Sequence, residues 1–274
     1  TEELTELTVG ANLPLPERSP GHFGRRRIEV INLRCARADG HIALEDASFH
    51  VRAGEIYGIA GVSGNGQSEL AEALMGVRTP ESGLIQIEDA GEAVAAASPA
   101  RMRALGAAFI PADRYTYALA GSLSITDNFA VGGVGAGRYG SWARLRPGLM
   151  KKEAEAAIAA FDVQGVRTLS QKAALLSGGN AQKLVIAREF SRSPNVIVAH
   201  SPSRGLDARA TAAVHSRLMS AREAGAAVIL ISEDLDEVLA LSDRIGVMTH
   251  GRLVAEFDAP ADRQQVGRAM VGHV

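Results

Sequence analysis

The spacing of apolar positions changes character along this chain. From Ile28 to Val51 two short alternating runs, IEVINL and ALEDASFHV, flank the turn Asp39-Gly40 and predict strands of an antiparallel layer. Beyond them apolar runs alternate with helical periodicity: EIYGIAG from Glu55, a helix from Gln67 to about Met75, AAFI near Phe109, NVIVA from Asn195, AAVILI from Ala226 and RIGVMT from Arg244. Apolar strands punctuated by helices imply a parallel sheet covered on both faces, with Leu70, Leu74, Val196, Ile197, Val198, Ile229 and Ile231 as candidate core.

Between Tyr115 and Leu175 the strand signal is sparse. KKEAEAAIAAF, from Lys151 to Phe161, combines strong helix formers with apolar residues at 154, 157, 158 and 161, so the stretch reads as a helical insertion. Its Gly-rich entrance, Gly132 to Gly140, has neither a clear strand before it nor a helix directly after it. It therefore reads as a flexible connector rather than a phosphate loop. The first 27 residues are rich in Pro, Gly and Arg and read as a linker, whose closing Arg25-Arg26-Arg27 reads as a solvated face.

Composition narrows the function classes. With 274 residues, 46% apolar and 22% charged, the chain can bury a sizeable core. The 29 Lys and Arg nearly cancel the 31 Asp and Glu, so no basic field exists to hold a phosphate backbone and no nucleic-acid partner is expected. Cys35 is the one cysteine, which excludes an internal disulfide and a cysteine metal cluster and fits a reducing compartment, the cytoplasm by default. No apolar run approaches the roughly 18–20 residues that span a bilayer, so work at a membrane is expected to go through a partner. A start at Thr1 rather than Met raises the expectation of a piece of something longer.

Two stretches carry chemistry. Gly61 to Ser68, GVSGNGQS, follows a buried strand and opens a helix, which lets backbone N–H groups converge on an anion at the positive helix end. The P-loop pattern GxxxxGK[ST] is met at Gly61, Gly66 and Ser68 but broken at Gln67, where a Lys should reach the β- and γ-phosphates. Exchanging that cation for a neutral amide weakens binding by about 1.5–3 kcal/mol. Alone, the loop also has a bare reading as a Gly-rich strand-to-helix turn. The second stretch, Leu176 to Lys183, LSGGNAQK, sets the Ser177 hydroxyl, Gly178, Gly179 and the Asn180 amide at the start of another strong helix, a second phosphate-facing surface.

With NVIVA and PSRGLD (Pro202 to Asp207) following, the chain resembles a nucleotide-binding domain of ATP-binding-cassette (ABC) transporters. LSGGN looks like the family signature, and Pro202 to Asp207 like the Walker B tail and D-loop. GVSGNGQSEL, FIPADR with SITDNFA, and LSGGNAQKLVIARE resemble most the second cassette of the tandem ATPases that serve simple-sugar and nucleoside importers. ELTELTVG near the N-terminus echoes QVGRAMVG near the C-terminus, as a tail of a preceding cassette would.

The resemblance implies a P-loop α/β cassette: 1–27 as linker and tail, 28–114 and 176–274 as a RecA-like core with its antiparallel layer, and 115–175 as a helical lobe. It implies ATP and Mg²⁺ held through Gly61, Ser63, Gly64, Asn65, Gly66, Gln67 and Ser68, with the Ser68 hydroxyl a weak metal contact. Ser177, Gly178, Gly179, Asn180 and Asp207 would face nucleotide on another cassette. The implied partners are a preceding cassette of the same polypeptide, membrane permease subunits and, indirectly, an extracytoplasmic binding protein. The implied place is the inner face of the cell membrane.

Departures from the family pattern fall on the catalytic groups. The Walker B Asp-Glu pair is replaced by His200 and Ser201; neutral His is a poor ligand for hard Mg²⁺, and Ser has no basicity near neutral pH. Glu233 stands at the switch histidine, Ala112 at the Q-loop, and no aromatic occupies Arg34 to Asp39 where cassettes stack adenine. Phosphoryl transfer needs a Lys, Mg²⁺ and a water-orienting carboxylate, and no intact catalytic set of this chain's own is expected. The leading expectation is therefore a non-catalytic half that completes its partner's ATP site. The alternatives are a competent ATPase in which unusual residues such as His200 substitute for the lost ones, or a soluble, non-transport ABC protein.

Overall fold

The computed structural model describes residues 21–87, 98–141 and 143–272. The expected linker up to residue 20 and the ELTELTVG echo lie outside them. The strands are β1 (Arg26–Ala36), β2 (Ile42–Arg52), β3 (Ile56–Ala60), β4 (Ser82–Ile87), β5 (Ala107–Ile110), β6 (Gly140–Ser141), β7 (Arg144–Leu145), β8 (Val196–His200), β9 (Ala227–Ser232), β10 (Arg244–Thr249) and β11 (Arg252–Asp258). The helices are α1 (Gln67–Leu74), α2 (Pro99–Ala104), α3 (Arg114–Tyr117), α4 (Ile125–Gly135), α5 (Pro147–Ala160), α6 (Gly178–Phe190), α7 (Ala208–Glu223), α8 (Leu235–Leu241) and α9 (Arg263–Met270).

The chain divides into two compact units. One comprises residues 110–193 and 202–214; the other takes in 21–109, 194–201 and 215–272. The second holds the nine-stranded sheet, but for the last residue of β5, in the order β4-β1-β2-β11-β10-β3-β9-β8-β5. β1 pairs antiparallel with β2 and β4, and β11 antiparallel with β10, whereas β10, β3, β9 and β8 run parallel to one another. The sheet is mixed, joining an antiparallel layer to a parallel core, as the resemblance led us to expect.

The parallel strands β3 and β9 are buried at every position, the run-on apolar pattern of a strand covered on both faces. All seven candidate core residues are at most 1% exposed. Leu70 and Leu74 of α1 share one cluster with Val196, Val198, Ile229 and Ile231 of the sheet and with Ile28 and Leu44 of the antiparallel layer.

Two strands of the large sheet escape the sequence pattern. β11 is joined to β10 by a two-residue turn, His250-Gly251, with φ of 49° and 73°. Two positive φ values make the hairpin turn that matches strand twist, but His-Gly is a weaker signal than Asn-Gly. β4 is a short strand that pairs with β1 through Ile28 to Ile31.

In the unit of residues 110–193 and 202–214, Leu119, Ile125, Phe129, Ala154, Leu184 and Val185 form the core. The expected flexible connector is corrected here: Gly132 to Gly135 lie in α4, and Gly140 pairs with Leu145 in a two-strand hairpin. A Cβ on Gly133 would fall 2.4 Å from the Tyr139 ring, so glycine lets that buried ring lie on the helix. Missing side chains allow close packing at Gly133 and Gly140, whereas Gly135 and Gly137 face open space.

Asp243, just before β10, takes Arg222 Nε at 2.8 Å and Nη2 at 2.7 Å, and also accepts the Ile56 N–H at 2.8 Å. Both charged side chains are at most 5% exposed. Removing the carboxylate would take a two-pronged partner from a buried guanidinium, so Asp243→Ala is expected to cost about 3–5 kcal/mol, read as a lower urea midpoint at unchanged m.

Candidate functional site

Helix starts in this protein are mostly closed by their own side chains. Ser98, Asp113, Ser124, Asp234 and Asp262 each accept backbone N–H groups of the helix they precede, and Asp207 accepts Ala210 N–H at 2.8 Å. α5 opens on Pro147 instead. The helices that follow the two motif stretches differ: neither Gly66 before α1 nor Ser177 before α6 makes a side-chain capping bond. Their first-turn donors are thus left for something other than a cap.

The loop before α1 is locked in shape. Gly66 has φ 103°, and a Cβ there would sit 2.5 Å from the Ala43 carbonyl oxygen. Asn65 accepts the His250 N–H at 2.9 Å through Oδ1, while its own N–H turns onto Val62 O at 3.3 Å instead of joining the expected cradle. Ser63, Gly64 and Ser68 are exposed, with Ser68 on the first turn of α1. Gln67 is buried, and its Nε2 donates to Val62 O at 3.0 Å. A Cβ on Gly61 would meet that nitrogen at 2.5 Å, so the amide folds back over the start of the loop.

Sequence reasoning passed over Arg37, in the stretch inspected for an adenine-stacking aromatic. Its Nε donates to Glu69 Oε1 at 2.8 Å and its Nη2 to Gly64 O at 3.2 Å, which sets a guanidinium on the loop with its charge opposed by α1. Its contact with Glu69 spans 32 residues, and no local pattern announces it.

Strand register brings the other departures to the same end of the sheet. β3, β9 and β8 are parallel neighbours, with Ala60 opposite Ser232 and His200 opposite Ile231. Gly61, Glu233 and Ser201 therefore follow the carboxyl ends of adjacent strands, where open α/β sheets bind ligands. Ser201 is buried with φ 44°, and its N–H extends the ladder to Ile231 O at 2.7 Å. Glu233 is exposed. Ala112, between β5 and α3, is half-buried.

In the unit of residues 110–193 and 202–214, Ser177, Gly178, Gly179, Asn180 and Asp207 line one cleft of about 370 Å³, with Lys183 and Arg209 also at its walls. Asn180 Nδ2 donates to Ser177 Oγ at 2.9 Å and its Oδ1 accepts Gln164 N–H at 2.7 Å. The serine hydroxyl thereby keeps its own proton to donate. Lys183 is held by Asp162 through the carbonyl at 2.9 Å and the carboxylate at 3.2 Å. Buried Gln182 donates to Pro202 O at 2.9 Å and fixes α6 against the turn after β8.

The ABC transporter family model matches residues 44–204, a span that includes the Gly61–Ser68 loop and the LSGGN stretch. The chain belongs to the ABC transporter family. It is 40% identical over 273 residues to the glucose import ATP-binding protein TsgD13 of Haloferax volcanii, a match covering 98% of this chain and 49% of that protein. It is 36% identical to the guanosine import ATP-binding protein NupO of Bacillus subtilis, covering 99% and 53%. The chain thus spans about half the length of the curated relatives it matches. Among solved structures, a nucleotide-free ATP-binding cassette of an ABC transporter superposes with TM-score 0.71 at 19% identity, over 90% of this chain and 95% of that one. An ATP-binding subunit of an ABC transporter gives 0.69 at 25% identity, over 90% and 95%.

The family binds ATP with Mg²⁺. The uncapped N-terminus of α1 and the Gly66 turn fit a phosphate chain through backbone donors. The residues fit Mg²⁺ poorly: His200 and Ser201 close β8 without a carboxylate, and among the described residues no group of three or more His, Cys, Asp or Glu could hold a metal.

The loop geometry gives two expectations. Gly66→Ala combines a strained φ with a backbone clash and is expected to destabilise by at least about 1–3 kcal/mol, whereas Gly64→Ala, where a Cβ would meet open space, should cost less in a matched denaturation series. Gln67→Lys restores a cation where the amide now folds back and should tighten ATP binding about ten- to a hundredfold by calorimetric titration, more than it alters turnover.

Proposed function

We propose that this chain is the second, non-catalytic nucleotide-binding half of a tandem ABC importer ATPase, whose signature cleft completes the ATP site of the preceding cassette. The observation that carries the reading is the contrast between two surfaces. The cleft of Ser177, Gly178, Gly179, Asn180 and Asp207 is assembled with its donors uncapped, while Gln67, His200, Ser201 and Glu233 remove catalytic charge at the chain's own loop. Coverage of about half of each relative supports a place within a longer protein, and the relatives' names support a simple sugar or nucleoside as cargo.

In this reading the pair drives permease subunits supplied by an extracytoplasmic binding protein, from the inner face of the cell membrane. No helix among the described residues is long and apolar enough to cross a membrane, so coupling to the permease would run through contact. The chain's own loop holds ATP weakly and contributes the cradle of a second, inactive site. Without Lys, carboxylate pair or switch histidine, the protein supplies little neutralisation for phosphoryl transfer at that loop.

Two measurements test this. The isolated chain should hydrolyse ATP no faster than buffer, and steady turnover abolished by Ser68→Ala would overturn the reading. In the assembled complex at saturating Mg-ATP, Gly179→Glu should lower the ATPase rate by more than about a hundredfold, because a carboxylate would stand in the phosphate's place. Gln67→Ala should do far less; if it is the more damaging change, this loop belongs to a working site.

A further inference from the structure

We propose that Arg114 is a positioning residue for the signature, orienting the peptide group that presents the Gly179 N–H to phosphate. The inference rests on the proposed function above. Arg114 opens α3, a single turn whose cap holds it firmly: Asp113 Oδ1 accepts the N–H groups of Tyr115 and Thr116, each at 3.0 Å, and Oδ2 accepts Thr116 Oγ1 at 2.6 Å. The hydroxyl and backbone donors of Thr116 hold the Asp113 carboxyl below its ordinary range. Arg114 O accepts Ala118 N–H at 3.0 Å and Leu119 N–H at 2.6 Å, so the residue is fixed on both sides of its Cα.

From that anchor the side chain reaches α6. Nη1 donates to the Gly178 carbonyl oxygen at 3.1 Å. A methyl group built on Gly178 or on Gly205 would lie 3.6 or 3.7 Å from Nη2, which places the guanidinium in a notch between two glycines that both line the signature cleft. The Gly178 carbonyl and the Gly179 N–H are the two ends of one planar, trans peptide group, so a donor that holds the oxygen sets where the N–H points. Both glycines lie in the first turn of α6, where neither carries a Cβ to add restraint beyond that of the helix, and the Arg114 bond supplies a second hold on the plane. The acceptor is a neutral carbonyl, and the contact is a directional hydrogen bond rather than an ion pair.

The test uses the complete tandem protein with its permease, comparing wild type, Arg114→Ala, Arg114→Lys and Gly179→Glu. Arg114→Ala is expected to lower kcat for ATP by about tenfold with KM within about twofold. The melting midpoint should be unchanged. Arg114→Lys keeps a donor of similar reach and should recover part of the lost kcat. A kcat within about twofold of wild type, or no recovery by Arg114→Lys, overturns the inference. So does a loss of kcat accompanied by a lower melting midpoint and faster exchange throughout α4 to α6, which marks a merely structural contact. If Gly179→Glu itself leaves the rate unchanged, the proposed function is what fails; if it is severe while Arg114→Ala is silent, only the role of Arg114 falls.

Discussion

Backbone N–H groups that open a helix must find a partner, and among the described helices α1 and α6 open with neither a capping side chain nor a proline. Around the chain, Ser or Asp residues close the helix starts, each such cap being worth about 1 kcal/mol. At α1 and α6 that stabilisation is forgone. A left-handed glycine precedes α1, and before α6 stands a serine whose hydroxyl is held by Asn180 instead of by the helix. In the proposed function both starts serve as binding surfaces for a phosphate chain, the same omission made in two separately packed units.

The two surfaces are then supported differently. Around α1 the supporting contacts fall on the loop, from within it and from distant segments, and include a charged pair: Gln67 on Val62, Asn65 on the β10–β11 turn, Arg37 on Gly64 and Glu69. They hold the shape of a phosphate loop while supplying little of its charge. Around α6 they are long-range and mostly neutral: Gln164 on Asn180, Gln182 on Pro202, Arg114 on Gly178. Deeper in that unit, buried Asn128 satisfies the backbone of Ala120 on both its donor and acceptor sides, and Arg188 reaches Ala118 O and, at 3.2 Å, Asn128 O. Buried polar groups satisfied in this way fix one arrangement, because any shift leaves a group unpaired in a low-dielectric interior.

In the proposed reading, the residues at 67, 200 and 201 set how this member differs from other ABC cassettes. With Gln67 in place the Gly-rich turn keeps its shape, because that shape depends on φ values and on the close approach to Ala43 O, neither of which involves a side-chain charge. The end of β8 likewise keeps its ladder to β9 with His200 and Ser201, since the ladder needs only backbone. Fold and chemistry are separable at these positions, which is why a cassette can keep its architecture as its catalytic charges change.

By itself the sequence determined whatever depends on neighbouring residues and their period. Continuous apolar runs gave the parallel strands and their core, a change from alternation to helical spacing gave the joint between the two layers, and the residue types at 67, 200, 201 and 233 gave the proposed loss of catalytic charge. Tertiary structure decided whatever depends on chain segments meeting: the β4 and β11 pairings, the Tyr139 ring on Gly133, and the grouping of Gly61, Ser201 and Glu233 at one sheet end. It also decided the parts of Arg37 and Arg114, whose partners lie 32 and 64 residues away. An arginine in a turn carries no local mark of its acceptor, because which carbonyl it reaches is fixed by the packing of segments far apart in sequence.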